Sequence, residues 1–126
     1  MIVLDLGPAP APPLSLNRER TMHWAARNRR LDPWRDLATW LARCSNTAEV
    51  VAGRPATITV VLPVKGHYRR DPHNYVPTVK AIIDGLIVGG VWPDDTATYV
   101  TVNEPVLAVN GRNAEVRIVF RDEAAA

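Results

Sequence analysis

The chain has 126 residues, of which 47% are hydrophobic and 22% charged, the proportions of one ordinary globular domain with a modest core. It contains no run of 18 apolar residues, and an early Asp5 with no basic residue before it argues against a secretory signal. The single Cys44 cannot form an internal disulfide. We therefore expect a cytoplasmic protein without membrane attachment, in which Cys44 is a buried or half-buried apolar residue.

The first half of the chain predicts a strand, a basic segment and a helix. Residues 1–6 form the predicted strand, and the Pro/Ala-rich residues 7–13 an extended spacer. Residues 14–30 show no clean period and predict a basic loop with a short helical turn. Asp32 and Pro33 are typical of an N-cap and a first helical position. The expected apolar face of this helix comprises Trp34, Leu37, Ala38, Leu41 and Cys44.

The second half predicts a strand over 56–64, a loop over 65–76 and a second helix. This helix should begin at Pro77 or Thr78 and end near Val88, before two glycines. Its apolar stripe comprises Val79, Ile82, Ile83 and Leu86.

The C-terminal residues predict a β-hairpin. Asn110-Gly111 is typical of a type I′ turn, here joining a strand over 98–109 to another over 113–121. Residues 122–126 are expected to be frayed. The whole chain, residues 1–126, thus predicts a single α+β domain in which a mixed β-sheet is covered by two helices.

Residues with metal-binding chemistry concentrate between positions 69 and 96. Four of the thirteen acidic residues and one of the two lysines fall in these 28 positions. The candidate metal ligands are Asp71, His73, Asp84, Asp94 and Asp95, with Lys80 as the nearby cation. Carboxylates next to lysine and arginine are typical of sites that bind a divalent cation and a phosphate together. The block therefore predicts a metal-dependent nuclease.

The same residues have ordinary structural explanations. Asp71 and the Asp94–Asp95 pair adjoin prolines, and both arrangements are typical of turns. Lys80 and Asp84 have the i, i+4 spacing of a solvated helix pair. His73 could be a surface loop residue, and Trp92 is expected to pack in the core or at an edge. A non-catalytic DNA-binding module is therefore the alternative to a nuclease.

Basic residues concentrate between positions 18 and 43, where positive charges exceed negative ones by four. Arginine suits bidentate contact with phosphate. The candidate DNA-binding residues are Arg18, Arg20, Arg27, Arg29, Arg30, Arg69 and Arg70. Among the four tryptophans, Trp24 in the basic segment is the best candidate for stacking on a base.

The central block contains a series of motifs in a fixed order: Arg70-Asp71-x-x-Asn74, Lys80, Asp84-Gly85-Leu86, Gly90-Val91-Trp92 and Asp94-Asp95. Together these motifs resemble the core signature of the RusA-type crossover junction endodeoxyribonucleases, Holliday junction resolvases common in phages and prophages. The resemblance covers about residues 55 to 120, and residues 16–24 resemble the family's N-terminal basic segment.

The resemblance implies a homodimer that binds four-way DNA junctions and makes paired symmetric nicks with Mg²⁺, in DNA recombination and repair. It implies no small-molecule substrate, and a location in the cytoplasm of a bacterial host. Asp71 and Asp95 correspond to catalytic aspartates of the family, and Lys80 corresponds to its essential lysine. A nuclease for other branched DNA is a further alternative.

Two departures from the family pattern concern the metal. The usual Asp-x-Asp-Asn loop is Asp71-Pro72-His73-Asn74 here, and Lys80 comes three residues later than in that pattern. Replacing a carboxylate by the neutral nitrogen of His73 should favour borderline ions such as Mn²⁺ over Mg²⁺.

Overall fold

A five-stranded mixed sheet and two long helices form the framework of the computed structural model, which describes residues 1–66 and 71–124. This architecture confirms the predicted α+β class. The strands are β1 (Ile2–Pro8), β2 (Ala56–Val64), β3 (Val100–Val102), β4 (Val106–Val109) and β5 (Asn113–Phe120). The helices are α1 (Leu16–Glu19), α2 (Trp24–Cys44), α3 (Thr47–Val51), α4 (Val76–Val88) and α5 (Arg121–Ala124), with a 3₁₀ turn at Pro72–Tyr75.

The sheet is organised around β2. On one side β2 pairs with β5 in antiparallel fashion, and β1 pairs with β5 beyond it. On its other side, β3 and then β4 run parallel to β2. Ile58, Val60 and Leu62 of β2 are fully buried, as expected of a central strand packed under helices. The predicted strands over 1–6 and 56–64 are therefore confirmed.

Helices α2 and α4 approach each other closely because small residues line their crossing. A β-carbon on Gly85 would lie 2.8 Å from Cβ of Ala38, and one on Gly89 would lie 2.6 Å from Cβ of Ala42. Real β-carbons do not pack at such distances, so both positions require glycine. The Thr39 hydroxyl also donates a hydrogen bond to the Gly85 carbonyl (2.9 Å).

Helix α4 agrees with its prediction and also anchors the Pro-rich segment. Its four predicted stripe residues are all buried, and it starts within two residues of the expected position. The buried Thr78 hydroxyl accepts from the Leu14 amide (2.7 Å) and donates to the Leu14 carbonyl (3.1 Å). This pair of bonds fixes the chain at the end of the extended spacer against the helix.

Helix α2 is longer than predicted. It begins at Trp24, where His23 provides the N-cap by accepting from the Ala25 amide (3.3 Å), and Pro33 lies inside it. The prediction that Asp32 caps the helix was wrong. The short helical turn expected within 14–30 is present as α1, but the loop prediction was wrong for residues 24–30, which belong to α2. An internal proline removes one backbone hydrogen bond. Burial of the adjacent Trp34 offsets that loss.

The buried face of α2 also differs from the prediction. It comprises Leu31, Trp34, Ala38 and Ala42, with Leu37 and Leu41 only partly buried. Cys44, expected to be buried or half-buried, is exposed. The close approach of α4 explains this difference, because it places Ala38 and Ala42 in the contact and leaves Cys44 outside it.

The predicted strand over 98–109 is interrupted. Residues 103–105 separate β3 from β4, and Pro105 cannot donate a backbone hydrogen bond to a ladder. The predicted hairpin is also wrong, because β4 and β5 lie on opposite sides of β2. A type I′ turn needs positive φ at both central residues, but here only Asn110 has it. The Asn110 amide instead donates to the Val64 carbonyl (2.6 Å), so the chain crosses the end of β2.

The C-terminal residues are more ordered than expected. Residues 121–124 form the helical turn α5 instead of a frayed tail. Arg54 forms an ion pair with Asp122 (2.9 Å), and its guanidinium lies 3.8 Å from the centre of the Phe120 ring. Ala125 and Ala126 lie outside the described residues. Within the described ranges, no helix combines the length and apolarity that a bilayer crossing requires.

Candidate metal and phosphate site

Three metal-ligating side chains meet near the start of α4. Asp71 caps the 3₁₀ turn, and its carboxylate accepts from the His73 amide (3.0 Å). Glu104 comes from the break between β3 and β4 and lies 3.6 Å from His73 Nε2. One ligand atom from each of Asp71, His73 and Glu104 lies within 4.8 Å of the other two. Within residues 1–66 and 71–124, these three side chains thus form a possible metal-binding group.

The donor set of this group suits a divalent cation. Two carboxylates supply hard oxygen ligands, and one imidazole supplies a borderline nitrogen, a combination compatible with Mn²⁺ and less selective for Mg²⁺. Asp71, His73 and Glu104 are all exposed, so an ion held there would keep positions open to water and to a large substrate.

Glu104 is the member of this group that sequence reasoning missed. It lies 31 positions after His73 along the chain, too far for any spacing rule on a helix or strand. The available signal was Pro105, which is unfavourable in the middle of a strand and marks a break at Glu104. Knowing that the break returns to the 3₁₀ turn required the parallel pairing of β3 and β4 with β2.

A second charged group surrounds Lys80. Its Nζ donates to Asp84 Oδ1 (2.8 Å), one helical turn along α4, and to Asp95 Oδ2 in the turn after the helix. The hydrogen bond to Asp84, followed by that to Asp95, raises the pKa of Lys80 above its usual value of 10.5. The hydrogen bond from Lys80 lowers the pKa of Asp95 below its usual value of 3.8. At neutral pH this group is an ammonium held between two carboxylates.

Lys80 lines two adjoining depressions. A groove of about 280 Å³ is lined by Lys80 together with His73 and Glu104. A cleft of about 190 Å³ between α2 and α4 is lined by Lys80, Asp84 and Arg27. Lys80 therefore lies between the possible metal-binding group and the basic face of α2.

The predicted metal ligands thus fall into different arrangements. Asp71 and His73 meet as expected, together with Glu104, whereas Asp84 and Asp95 gather around Lys80. Asp94 stands apart from both groups, because its carboxylate accepts from the Thr96 amide (2.9 Å) in a turn. The ordinary structural explanation accounts for that contact.

The predicted DNA-binding arginines are not equivalent. Exposed members on α1, α2 and the turn between them are Arg18, Arg20, Arg27 and Arg29. Arg27 forms an ion pair with Glu19 (2.8 Å) that joins α1 to α2. Arg30 is only partly exposed and donates to the Pro12 carbonyl (3.2 Å), which gives it a structural contact. Arg69 and Arg70 lie outside the described residues.

The tryptophans divide into two classes. Trp92 is 2% exposed, as predicted for a core residue, and its Nε1 donates to the Arg54 carbonyl (2.9 Å). Trp34 is fully buried, whereas Trp24 and Trp40 are largely exposed.

In comparisons with known proteins, no protein-family model matches the chain, and no curated protein matches it. The resemblance to RusA-type resolvases therefore depends on the motif residues alone.

Proposed function

We propose that this protein is a metal-dependent endonuclease of the RusA type, which resolves four-way DNA junctions by paired symmetric nicks. The observation that carries the proposal is the groove in which His73 and Glu104 face Lys80. A possible cation site next to a fixed ammonium is the arrangement that phosphodiester hydrolysis needs, since negative charge develops on the phosphate in the transition state.

In this proposal Asp71, His73 and Glu104 hold the cation, Mg²⁺ or Mn²⁺. A bound ion would activate water and polarise the phosphate. Lys80 stabilises the charge that develops on the phosphate oxygens, and it does so as a protonated group because Asp84 and Asp95 raise its pKa. Asp95, the second catalytic aspartate implied by the resemblance, acts here by orienting Lys80.

The partners follow from the same proposal. Branched DNA binds along the basic face of α1 and α2, where phosphate contacts make the affinity fall steeply as salt concentration rises. Paired nicks need two active sites, so the protein acts as a homodimer. The place of action is the cytoplasm of a bacterial cell, with the gene of phage or host origin.

A labelled synthetic four-way junction tests the proposal directly. Incubation with Mg²⁺ or Mn²⁺ should give paired symmetric nicks, and EDTA should abolish them. Asp71→Asn keeps the size of the side chain but removes a charged ligand, so it should bind the junction and not cleave it. Cleavage by Asp71→Asn at the parent rate would show that the assignment of this residue is wrong.

A non-catalytic DNA-binding module is the second candidate, because the central carboxylates already have partners within the chain. Asp71 and Asp94 accept from backbone amides, and Asp95 binds Lys80. Thermal unfolding separates the two functions. A cation bound to the native state raises the melting temperature with increasing metal concentration. A melting temperature that does not respond to Mg²⁺ or Mn²⁺, with intact junctions, would favour the binding module.

A further inference from the structure

Helix α2 carries two exposed tryptophans with different surroundings. Trp24, its first residue, is 67% exposed, and Trp40, about four turns later, is 61% exposed. Trp24 lies between exposed Arg20 and Arg27, whereas Trp40 has both Asp36 and Arg43 on adjoining turns. Single exposed apolar residues are common on protein surfaces, so exposure by itself distinguishes neither residue. The two arginines that flank Trp24 in the sequence distinguish it from Trp40.

Contacts on both sides hold Trp24 in place. The ion pair between Glu19 and Arg27 (2.8 Å) joins α1 to the first turn of α2. His23 caps the helix through the Ala25 amide, and its ring centre lies 5.5 Å from that of Trp24, with the planes tilted by 38°. These contacts hold the start of the helix, and the indole beside His23 is largely open to solvent. Tryptophan has only two side-chain torsions, so it loses little conformational entropy when a ligand stacks on it.

Arg27 connects Trp24 to the candidate catalytic groove. It follows Trp24 by three residues, so the two side chains are neighbours on the helix surface. Arg27 also lines the cleft between α2 and α4 together with Lys80. Helix α1, just before Trp24, packs against α4 and against the 3₁₀ turn that carries Asp71. Arg27 therefore places Trp24 near the outer end of a cleft that reaches Lys80.

We infer that Trp24 stacks on an unpaired DNA base at a branch point while Arg20 and Arg27 contact the flanking phosphates. An aromatic face among arginines is the combination that binds single-stranded nucleic acid. Bases inside a continuous duplex are already stacked on each other, so Trp24 would favour branched over linear DNA. This inference rests on the proposed action on branched DNA and adds to it a residue that recognises the branch.

Binding in EDTA, where no cleavage occurs, tests the role of Trp24. Trp24→Leu keeps an apolar side chain but removes the stacking face. It should weaken binding to a four-way junction and to a single strand by roughly fivefold to a hundredfold, the effect of losing one base–aromatic stack, and leave duplex binding unchanged. Trp24→Phe should retain most of the affinity. Trp40→Leu is the matched control on the same helix and should bind like the parent.

Indole fluorescence gives a second measurement. Base stacking quenches an exposed indole, so the quenching seen on junction binding should be lost in Trp24→Phe and kept in Trp40→Phe. Parent-like junction affinity of Trp24→Leu, or an equal loss on linear duplex, would overturn the inference. A change in the sedimentation mass of Trp24→Leu would also overturn it, because it would make Trp24 a subunit contact. Failure of the nuclease proposal would appear separately, as intact junctions after incubation of the parent protein with metal.

Discussion

The two charged groups beside α4 have similar components but different balances of charge. The group of Asp71, His73 and Glu104 contains two carboxylates and an imidazole. The group of Asp84, Lys80 and Asp95 contains two carboxylates and its own ammonium. Two carboxylates close together repel each other unless a cation lies between them. In the second group the Lys80 ammonium is that cation, whereas the first group is suited to bind a cation from solution.

This difference predicts that the metal-dependent rise in melting temperature depends on the first group and not on the second. Asp71→Asn should lose both cleavage and the metal-dependent rise in melting temperature. Lys80→Met should lower kcat for junction cleavage by about a hundredfold to a thousandfold, the cost of one charge-stabilising group, while keeping the metal-dependent rise. Junction cleavage and thermal unfolding with Mn²⁺ on both variants make the comparison. If Lys80→Met lost the thermal response, the two groups would act as one metal site.

Substitution of Glu104 tests whether the first group includes a ligand from the break between β3 and β4. Glu104→Gln removes one of two anionic ligands and should weaken Mn²⁺ binding by about tenfold or more, with cleavage recovered at higher metal concentration. Titration calorimetry or the midpoint of the thermal response against Mn²⁺ concentration measures this shift. Glu49→Gln, at an exposed position of α3, is the control and should leave the midpoint unchanged. An equal midpoint for Glu104→Gln and the parent would remove Glu104 from the site.

Substitution of His73 tests which metal the first group prefers. His73→Asp replaces the borderline nitrogen by a carboxylate, which should increase activity with Mg²⁺ relative to Mn²⁺, several-fold in the ratio. In the parent, metal binding should weaken as pH falls, because a protonated imidazole cannot bind a cation. His73→Asp should lose most of that dependence on pH. An unchanged metal ratio and pH profile would place His73 outside the coordination sphere.

The parts of this site that sequence predicted are those fixed by local spacing. Asp71 and His73 are two positions apart in an extended-to-3₁₀ segment, and Lys80 and Asp84 are one turn apart on a helix. The i, i+4 spacing was enough to place Lys80 beside Asp84, and closeness in sequence was enough to group Asp71 with His73 as candidate ligands. Glu104 could not be found this way, because its position depends on strand pairing that spans about 40 residues.

The same limit explains the errors in the fold. Asn110 and Gly111 favour a turn, but local turn chemistry does not determine which strand β5 pairs with. In the structure β5 pairs with β1 and β2 instead of β4. Pro33 locally favours a helix start, and its position inside α2 depends on packing that local preference does not predict. By contrast, the strongly periodic α4 and the apolar β2 were predicted to within two residues, since their burial dominates local preference.

The smallest expected effect concerns the stability of the Lys80 group. The Lys80 and Asp95 side chains are 56% and 40% exposed, so water screens their ion pair, and removing it with Asp95→Asn should cost less than about 1 kcal/mol at neutral pH. The raised pKa of Lys80 means that this contribution is present below pH 10.5 and is lost as pH rises above it. The lowered pKa of Asp95 means that it is also lost as pH falls below 3.8.

Urea unfolding of the parent and Asp95→Asn across pH measures this contribution. The difference in unfolding free energy should be greatest between the two limits, shrink beyond each of them, and decrease with added salt. Asp94→Asn is the matched control, because Asp94 accepts from the Thr96 amide and an asparagine oxygen can do the same. A difference that stayed constant with pH and salt would mean that Asp95 stabilises the turn after α4 by a contact other than its ion pair with Lys80. The contrast between a group with its own cation and a group that recruits one would then lose its electrostatic basis.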